Sequence, residues 1–189
     1  MKFDRKSRWV KDGHKTPIPD WSTFFGVVSR ESVRISFAHA LLNGLPVYAA
    51  DIKNAYLQAP ASEKHYGICG LEFGLENIGK IAVIVRALYG GKSAIADYWR
   101  HSRHAMDESG FQSCKADPDV WFCPVTKANG IAYYQYVLIY TDDILAIIEE
   151  PERFLRDELG NVFTLKEDSI KPPYSIFRKG LTGHSGKWQ

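Results

Sequence analysis

Thr141, Asp142 and Asp143 stand between two runs of large apolar and aromatic residues, in the stretch YYQYVLIYTDDILAIIEE from Tyr133 to Glu150. The flanking runs look built for burial as strands, and the three polar residues fall where a hairpin would turn. A surface turn is one account of them, since Asp is a common turn residue. Yet a short hairpin loop usually recruits Gly or Asn, which tolerate positive φ, and TDD has neither. Two adjacent carboxylates also repel, by roughly 4 kcal/mol at about 4 Å and an effective dielectric near 20. A divalent cation would convert that repulsion into binding, because Mg²⁺ takes hard oxygen ligands. Asp51 ends PVYAAD (46–51), which reads as a short, mostly apolar strand. If that strand pairs with the hairpin, Asp51 lies beside Asp142 and Asp143 on one sheet rim. Three carboxylates there could hold two metals about 3.5–4 Å apart. One would activate an attacking oxygen and the other stabilise the departing one in an in-line phosphoryl displacement.

The elements that must position these residues follow from local signals. SRESVRISFAHALLNG (29–44) predicts a helix capped by Ser29 and stopped by Gly44, with Val33, Phe37, Ala40 and Leu41 as its apolar stripe. KIAVIVRALYGG (80–91) is a β-branched run closing in a glycine pair. SAIADYWRHSRHAMDESG (93–110) predicts a second helix that buries Ile95, Trp99 and Met106 and turns Arg100, His101, Arg103 and His104 outward. His101 and His104 could take a metal, but the adjacent arginines suit a polar, partly basic face better. EPERFLRDELG predicts a short helix from Pro151 to Gly160, and NVFTLKED (161–168) a further strand. KTPIPDWS (15–22) reads as a loop. Helix, strand, helix, hairpin, helix, strand is the order of an α+β sandwich with helices on one face of a sheet.

Composition narrows the field without choosing a function. Apolar residues make up 45% of the chain and charged residues 24%, as in an ordinary globular protein. The net charge of +2 announces no global field for a polyanion, so local clusters must carry any nucleic-acid case. One such cluster is the opening strip, with Lys2, Arg5, Lys6, Arg8, Lys11 and Lys15 against Asp4 and Asp12. A solvated face is the plainer reading of such a run. Cys69, Cys114 and Cys123 are widely spaced with no CxxC pair, which argues for reduced thiols and against a zinc ribbon or disulfide framework. There is no apolar signal-peptide core and no run of about twenty apolar residues. A soluble, intracellular protein, cytoplasmic or nuclear and without a membrane partner, is expected.

AADIKNAYLQAP, RALYGGKSA, CKADPDVWF and YTDDILAI occur in the order found in copia-type retrotransposon reverse transcriptases, and the chain resembles that family from about Lys6 to Pro173. KSRWVKDGHKT is similar to the family's basic first fingers strand, and FTLKEDSIKPP to the segment after its catalytic hairpin. The resemblance implies a reverse-transcriptase-like fingers and palm, with an antiparallel palm sheet and helices on one face. Residues 1–45 and 61–86 would form the fingers, and 46–60 and 87–170 the palm. Residues 171–189 would be a degenerate tail, with the thumb absent.

The same resemblance assigns roles. Asp51 and Asp142 would be the metal-binding carboxylates, with Asp143 completing the cluster and Mg²⁺, or alternatively Mn²⁺, as cofactor. Tyr56 matches the aromatic gate that collides with a 2′-hydroxyl; from residue type alone it is a half-buried core aromatic. Lys6 and Arg8 match fingers positions that grip a triphosphate, where cationic donors stabilise charge on leaving pyrophosphate. Tyr89, Gly90 and Lys92 fall in the loop facing template and nucleotide. Glycine there permits close backbone approach, though a strand-to-helix turn wants glycine equally. Asp117, Pro118 and Trp121 read as architectural, a turn feeding a strand. The implied activity is RNA-directed DNA polymerisation, with an RNA or DNA template–primer and dNTPs as partners. A non-catalytic nucleic-acid-binding fragment of such a polymerase is the principal alternative, and another palm-like metal enzyme, a nucleotidyl cyclase or nuclease, is a third.

Overall fold

Apolar strands separated by turn residues form two antiparallel sheets in the computed structural model, which describes residues 9–15 and 26–173. The protein is a mixed α/β chain with few helices. Lys6, Arg8, most of the 15–22 loop and the tail beyond residue 173 lie outside the described residues. Among the described residues no helix is long and apolar enough to cross a membrane. Two compact units share the chain: Met1–Phe25 with Asn54–Arg103, and Gly26–Lys53 with His104–Gln189.

The first unit holds α2 (Ala55–Gln58), the two-stranded sheet of β2 (Pro60–Ile68) and β3 (Ile81–Arg86), and most of α3 (Ala94–Glu108). Helix α3 buries Ala96, Asp97, Tyr98, Ser102 and Met106, while Ile95 stays 49% exposed. The expected burial of Ile95 is therefore corrected. Ala94 and Ala96 are buried before and after it, and Ile95 lies about 100° round the helix from each. Trp99 is half-buried and carries the Arg103 guanidinium over its ring at 4.7 Å. Asp97, almost fully buried, pairs with Arg100 at 2.7 Å and accepts the Ser62 N–H at 3.2 Å.

The second unit contains α1 (Arg30–Asn43) and a five-stranded antiparallel sheet. Its strands are β1 (Val47–Asp51), β4 (Gln112–Ser113), β5 (Val120–Thr126), β6 (Ala132–Tyr140) and β7 (Asp143–Ile147), in spatial order β1-β7-β6-β5-β4. Ser29 caps α1 by accepting the Ser32 N–H at 3.0 Å, and Gly44 ends it at φ 60°, its N–H turned back to the last carbonyls. Ala40 packs into a core with Val28, Leu45, Val120, Leu138 and Ile147, flanked by Val33 and Val47. Leu41, placed in the apolar stripe from its type, is 84% exposed. Leu41 lies about 100° round the helix from the buried Ala40, on an exposed side that Leu42 shares.

The predicted strand over 161–168 is also corrected. After α4 (Pro151–Arg153) the chain makes a π-helical turn, Phe154–Glu158, and two 3₁₀ turns, Leu159–Asn161 and Glu167–Ser169. It touches β1 and the residue after it at two isolated bridges, Ala49↔Lys171 and Ile52↔Leu165. Phe154, Leu155, Leu159 and Phe163 are buried, so apolar anchoring rather than a continuous ladder holds this stretch.

Candidate functional site

Sheet register brings Asp51 and Asp143 together. They are the last partners in the β1–β7 pairing, and Tyr140 is the partner of Asp143 across the β6–β7 hairpin. The Asp51 N–H donates to Ser169 Oγ at 2.8 Å and its carbonyl accepts the Lys166 N–H at 2.9 Å, both on the outer edge of β1. The next residue faces the other way: the Ile52 N–H donates to the Asp142 carbonyl at 2.6 Å. Asp51 and Asp143 are therefore a non-hydrogen-bonded antiparallel pair, in which Cα atoms lie about 4.5 Å apart and side chains crowd most closely. Directly opposed side chains share a face, so Asp51, Asp143 and Tyr140 form one row at the sheet rim.

Asp142 is carried by the turn. The Tyr140↔Asp143 register leaves Thr141 and Asp142 as a two-residue hairpin loop, with Thr141 at φ 55°. Positive φ at the first central residue alone is the pattern of a type II′ turn, which matches the right-handed twist of the flanking strands. A β-branched residue in the left-handed region costs about 1–2 kcal/mol. Among the described residues one other non-glycine residue, Asn54, has positive φ, at 51°.

A cation already answers part of the negative charge. Lys166 Nζ lies 2.5 Å from Asp51 Oδ2. That hydrogen bond raises the Lys166 pKa; burial opposes the rise, and the charges of Asp51, Asp142 and Asp143 reinforce it. The Asp143 carboxyl keeps solvent access, yet surrounding protein atoms push its pKa up first of all. Like charge from Asp142 and Asp51 pushes the same way, and Lys166 pulls it back. Asp51 Oδ1 is buried and has no hydrogen-bond partner among the described residues.

Among the described residues no three His, Cys, Asp or Glu side chains converge closely enough to hold a metal as they stand. The donor chemistry nevertheless fits a hard divalent cation. An orphaned buried carboxylate oxygen lacks a partner, and three acidic groups at one rim face one ammonium.

In the first unit, Tyr56 is half-buried on α2, its ring edge-on to Tyr89 at 4.8 Å and to Tyr98 at 5.5 Å. Gly90 has φ 82°, and a Cβ there would lie 2.2 Å from the Lys11 carbonyl oxygen. The close approach that this glycine permits is thus to the chain's own Lys11 segment, whose N–H donates to the Tyr89 carbonyl at 2.7 Å. Burial lowers the pKa of Lys11; Glu63 and Asp97 oppose that, while Lys92 adds to it. Tyr89 also lines a groove of about 800 Å³ with Trp9, Leu57, Val83 and Arg86. At the end of α3 that belongs to the second unit, His104 pairs with Glu108 at 3.3 Å. In the second unit, Asp117 Oδ2 accepts the Ser29 N–H at 2.8 Å and the Ser32 hydroxyl at 2.5 Å, tying its turn to the start of α1. Trp121, on β5, is 1% exposed.

The chain matches no family model and no curated protein. Its site must be read from its own geometry.

Sequence reasoning did not single out Lys166, Ser169 or Tyr140. Tyr140 could have been found, because a two-residue loop places it opposite Asp143. Lys166 and Ser169 carry no local signal. They reach Asp51 from 115 and 118 residues away.

Proposed function

We propose that the chain is the fingers–palm core of an RNA-directed DNA polymerase of the copia-type retrotransposon kind, extending a primer 3′-hydroxyl with dNTPs. The observation that carries this reading is the close Asp51–Asp143 pair with Asp142 in the adjoining strained turn. Four ordered motifs resembling that family support it. Asp51 and Asp142 are the carboxylates to hold Mg²⁺ or Mn²⁺, with Asp143 completing the charge. When bound, the metal ions supply acidification of the attacking hydroxyl and neutralisation of charge on the leaving pyrophosphate.

The protein's own groups do the positioning. The sheet fixes Asp51, and the Ile52–Asp142 hydrogen bond ties the turn to the end of β1. Rigid placement matters because misplacement by about 1 Å can cost a hundredfold in rate. The resemblance alone gives Tyr56 the discrimination of deoxyribose from ribose. It also gives Lys6 and Arg8 the triphosphate, and places Tyr89, Gly90 and Lys92 in the loop facing template and nucleotide.

Primer extension on an RNA template tests the reading. Extension is expected only with Mg²⁺ or Mn²⁺, and Asp142→Asn is expected to reduce it to background. Extension by that variant at the unmodified rate refutes the assignment. Tyr56→Ala is expected to increase ribonucleotide incorporation. A second reading, a nucleic-acid-binding remnant without polymerase activity, is favoured by the ammonium that already sits on Asp51. It calls for template–primer binding with no extension in either metal.

A further inference from the structure

Lys166 is held to Asp51 by more than its charge. Its N–H donates to the Asp51 carbonyl at 2.9 Å, and its own carbonyl accepts the Ser169 hydroxyl at 2.6 Å. The Ser169 oxygen in turn accepts the Asp51 N–H. This closed set of hydrogen bonds fixes the Lys166 backbone beside Asp51. The ammonium at Oδ2 is therefore an intramolecular partner with a high effective concentration. The lysine side chain is 41% exposed, so its flexible stem can swing the charge into water without burying it elsewhere. The other oxygen of Asp51 is unpartnered. An incoming divalent ion that needs both oxygens meets one free and one occupied.

We propose that Lys166 is a resident counter-cation of the carboxylate site, occupying Asp51 in the metal-free protein and competing with the divalent ion for it. This inference rests on the metal-site reading above and adds to it a residue that sets metal affinity. Lysine keeps the acidic row tolerable while metal is absent and holds down metal binding by the nucleotide-free protein. Lys166 acts here as a positioning residue on Asp51, and no contact with substrate is required of it.

Mn²⁺ binding to the full-length, nucleotide-free chain, followed by the paramagnetic resonance of free Mn²⁺, tests this. Lys166→Gln is expected to bind Mn²⁺ about three- to tenfold more tightly, the range for losing a half-exposed, charge-assisted hydrogen bond. Lys166→Arg keeps the charge and is expected to bind like the unmodified chain. The gain in Lys166→Gln is expected to vanish when Asp51→Asn is added, which places it at the Asp51 site, while the unchanged Lys166→Arg separates charge from a merely structural role. Circular dichroism of each variant checks the fold, and the arginine variant carries the test if the glutamine variant unfolds. Should the unmodified chain bind Mn²⁺ through Asp51 while Lys166→Gln binds equally or more weakly, the counter-cation idea fails and the metal site stands. Should Arg at 166 tighten binding as Gln does, it also fails. Should no variant bind Mn²⁺, or should Asp51→Asn leave binding unchanged, the metal-site reading fails with it.

Discussion

Replacing Asp143 by Asn isolates the electrostatics of the sheet rim. Asp51 and Asp143 are a non-hydrogen-bonded pair, with Asp142 next in sequence, and Lys166 is the ammonium that answers them. Two carboxylates about 5 Å apart repel by about 3 kcal/mol at an effective dielectric near 20. Asp143 is exposed to solvent, so screening and Lys166 reduce the net cost to under about 1 kcal/mol. The sign follows from linkage. The folded state raises the pKa of Asp143, so it binds that proton more readily than the unfolded state does. Stability is then lost as pH rises from the unfolded value, about 3.9, through the raised folded one. Asp143→Asn is therefore expected to stabilise the metal-free protein at about pH 7 and to have little effect below about pH 3. For a chain of this size 1 kcal/mol corresponds to about 2–4 °C in Tm. Thermal unfolding in chelator at low salt measures it, and added salt should shrink the difference. Mg²⁺ should narrow the difference, because the form that binds the ion more tightly gains more from it, about 1.4 kcal/mol for each tenfold in affinity at saturation. A lower Tm for Asp143→Asn in chelator at low salt would refute the picture of a repulsive rim.

Two further outcomes concern the scaffold. Asp117 is partly buried, and burial alone would raise its pKa. The Ser32 hydroxyl and the Ser29 N–H outweigh that and hold it below the usual carboxylate range. Asp117→Ala should therefore cost about 2 kcal/mol by urea unfolding at neutral pH. The loss should narrow as pH falls below about 4, first as the carboxylate of the unfolded chain takes up its proton and then through the lowered folded value; a cost unchanged at about pH 2 counts against the charged cap. Thr141→Gly removes a β-branched residue from positive φ and should stabilise the chain by about 0.5–1 kcal/mol. A destabilised Thr141→Gly would mean that the turn carries no backbone strain.

What was legible in the sequence was local. The hairpin around Thr141 is marked by two apolar runs, the ends of α1 by Ser29 and Gly44, and the position of Asp51 by the strand it terminates. Each signal spans a few residues and needs no knowledge of distant chain. Strand β2 was missed because PASEKHYGI presents alternate half-buried and exposed positions with few apolar residues to mark them. The errors at Leu41 and Ile95 have another cause. Residue type shows which side chains favour burial, but the rotation of a helix against its neighbours decides which do. Lys166 and Ser169 were beyond reach because their importance comes from an edge contact with β1. Nothing in FTLKEDSI states that its backbone will lie against Asp51.

The same reasoning explains why the acidic pair holds its place. At the rim, Ala50 and Ile52 on either side of Asp51, and Ile144 after Asp143, are all at most 2% exposed. They point to the face opposite Asp51 and Asp143, because successive side chains alternate across a strand. A slip of one residue in either strand would turn its carboxylate into that buried face and bring an apolar side chain out to the rim. Burying an unpaired carboxylate costs several kcal/mol, and losing the buried isoleucine side chain about 2 kcal/mol more. The alternative register is therefore excluded by burial, through the desolvation of a carboxylate together with the exposure of an isoleucine, and not by repulsion between the acids. The buried face of β1 and β7 thus does the specifying, and the carboxylates stay on the side where water reaches them. Lys166, 2.5 Å from Asp51 Oδ2, then lowers the cost of that placement.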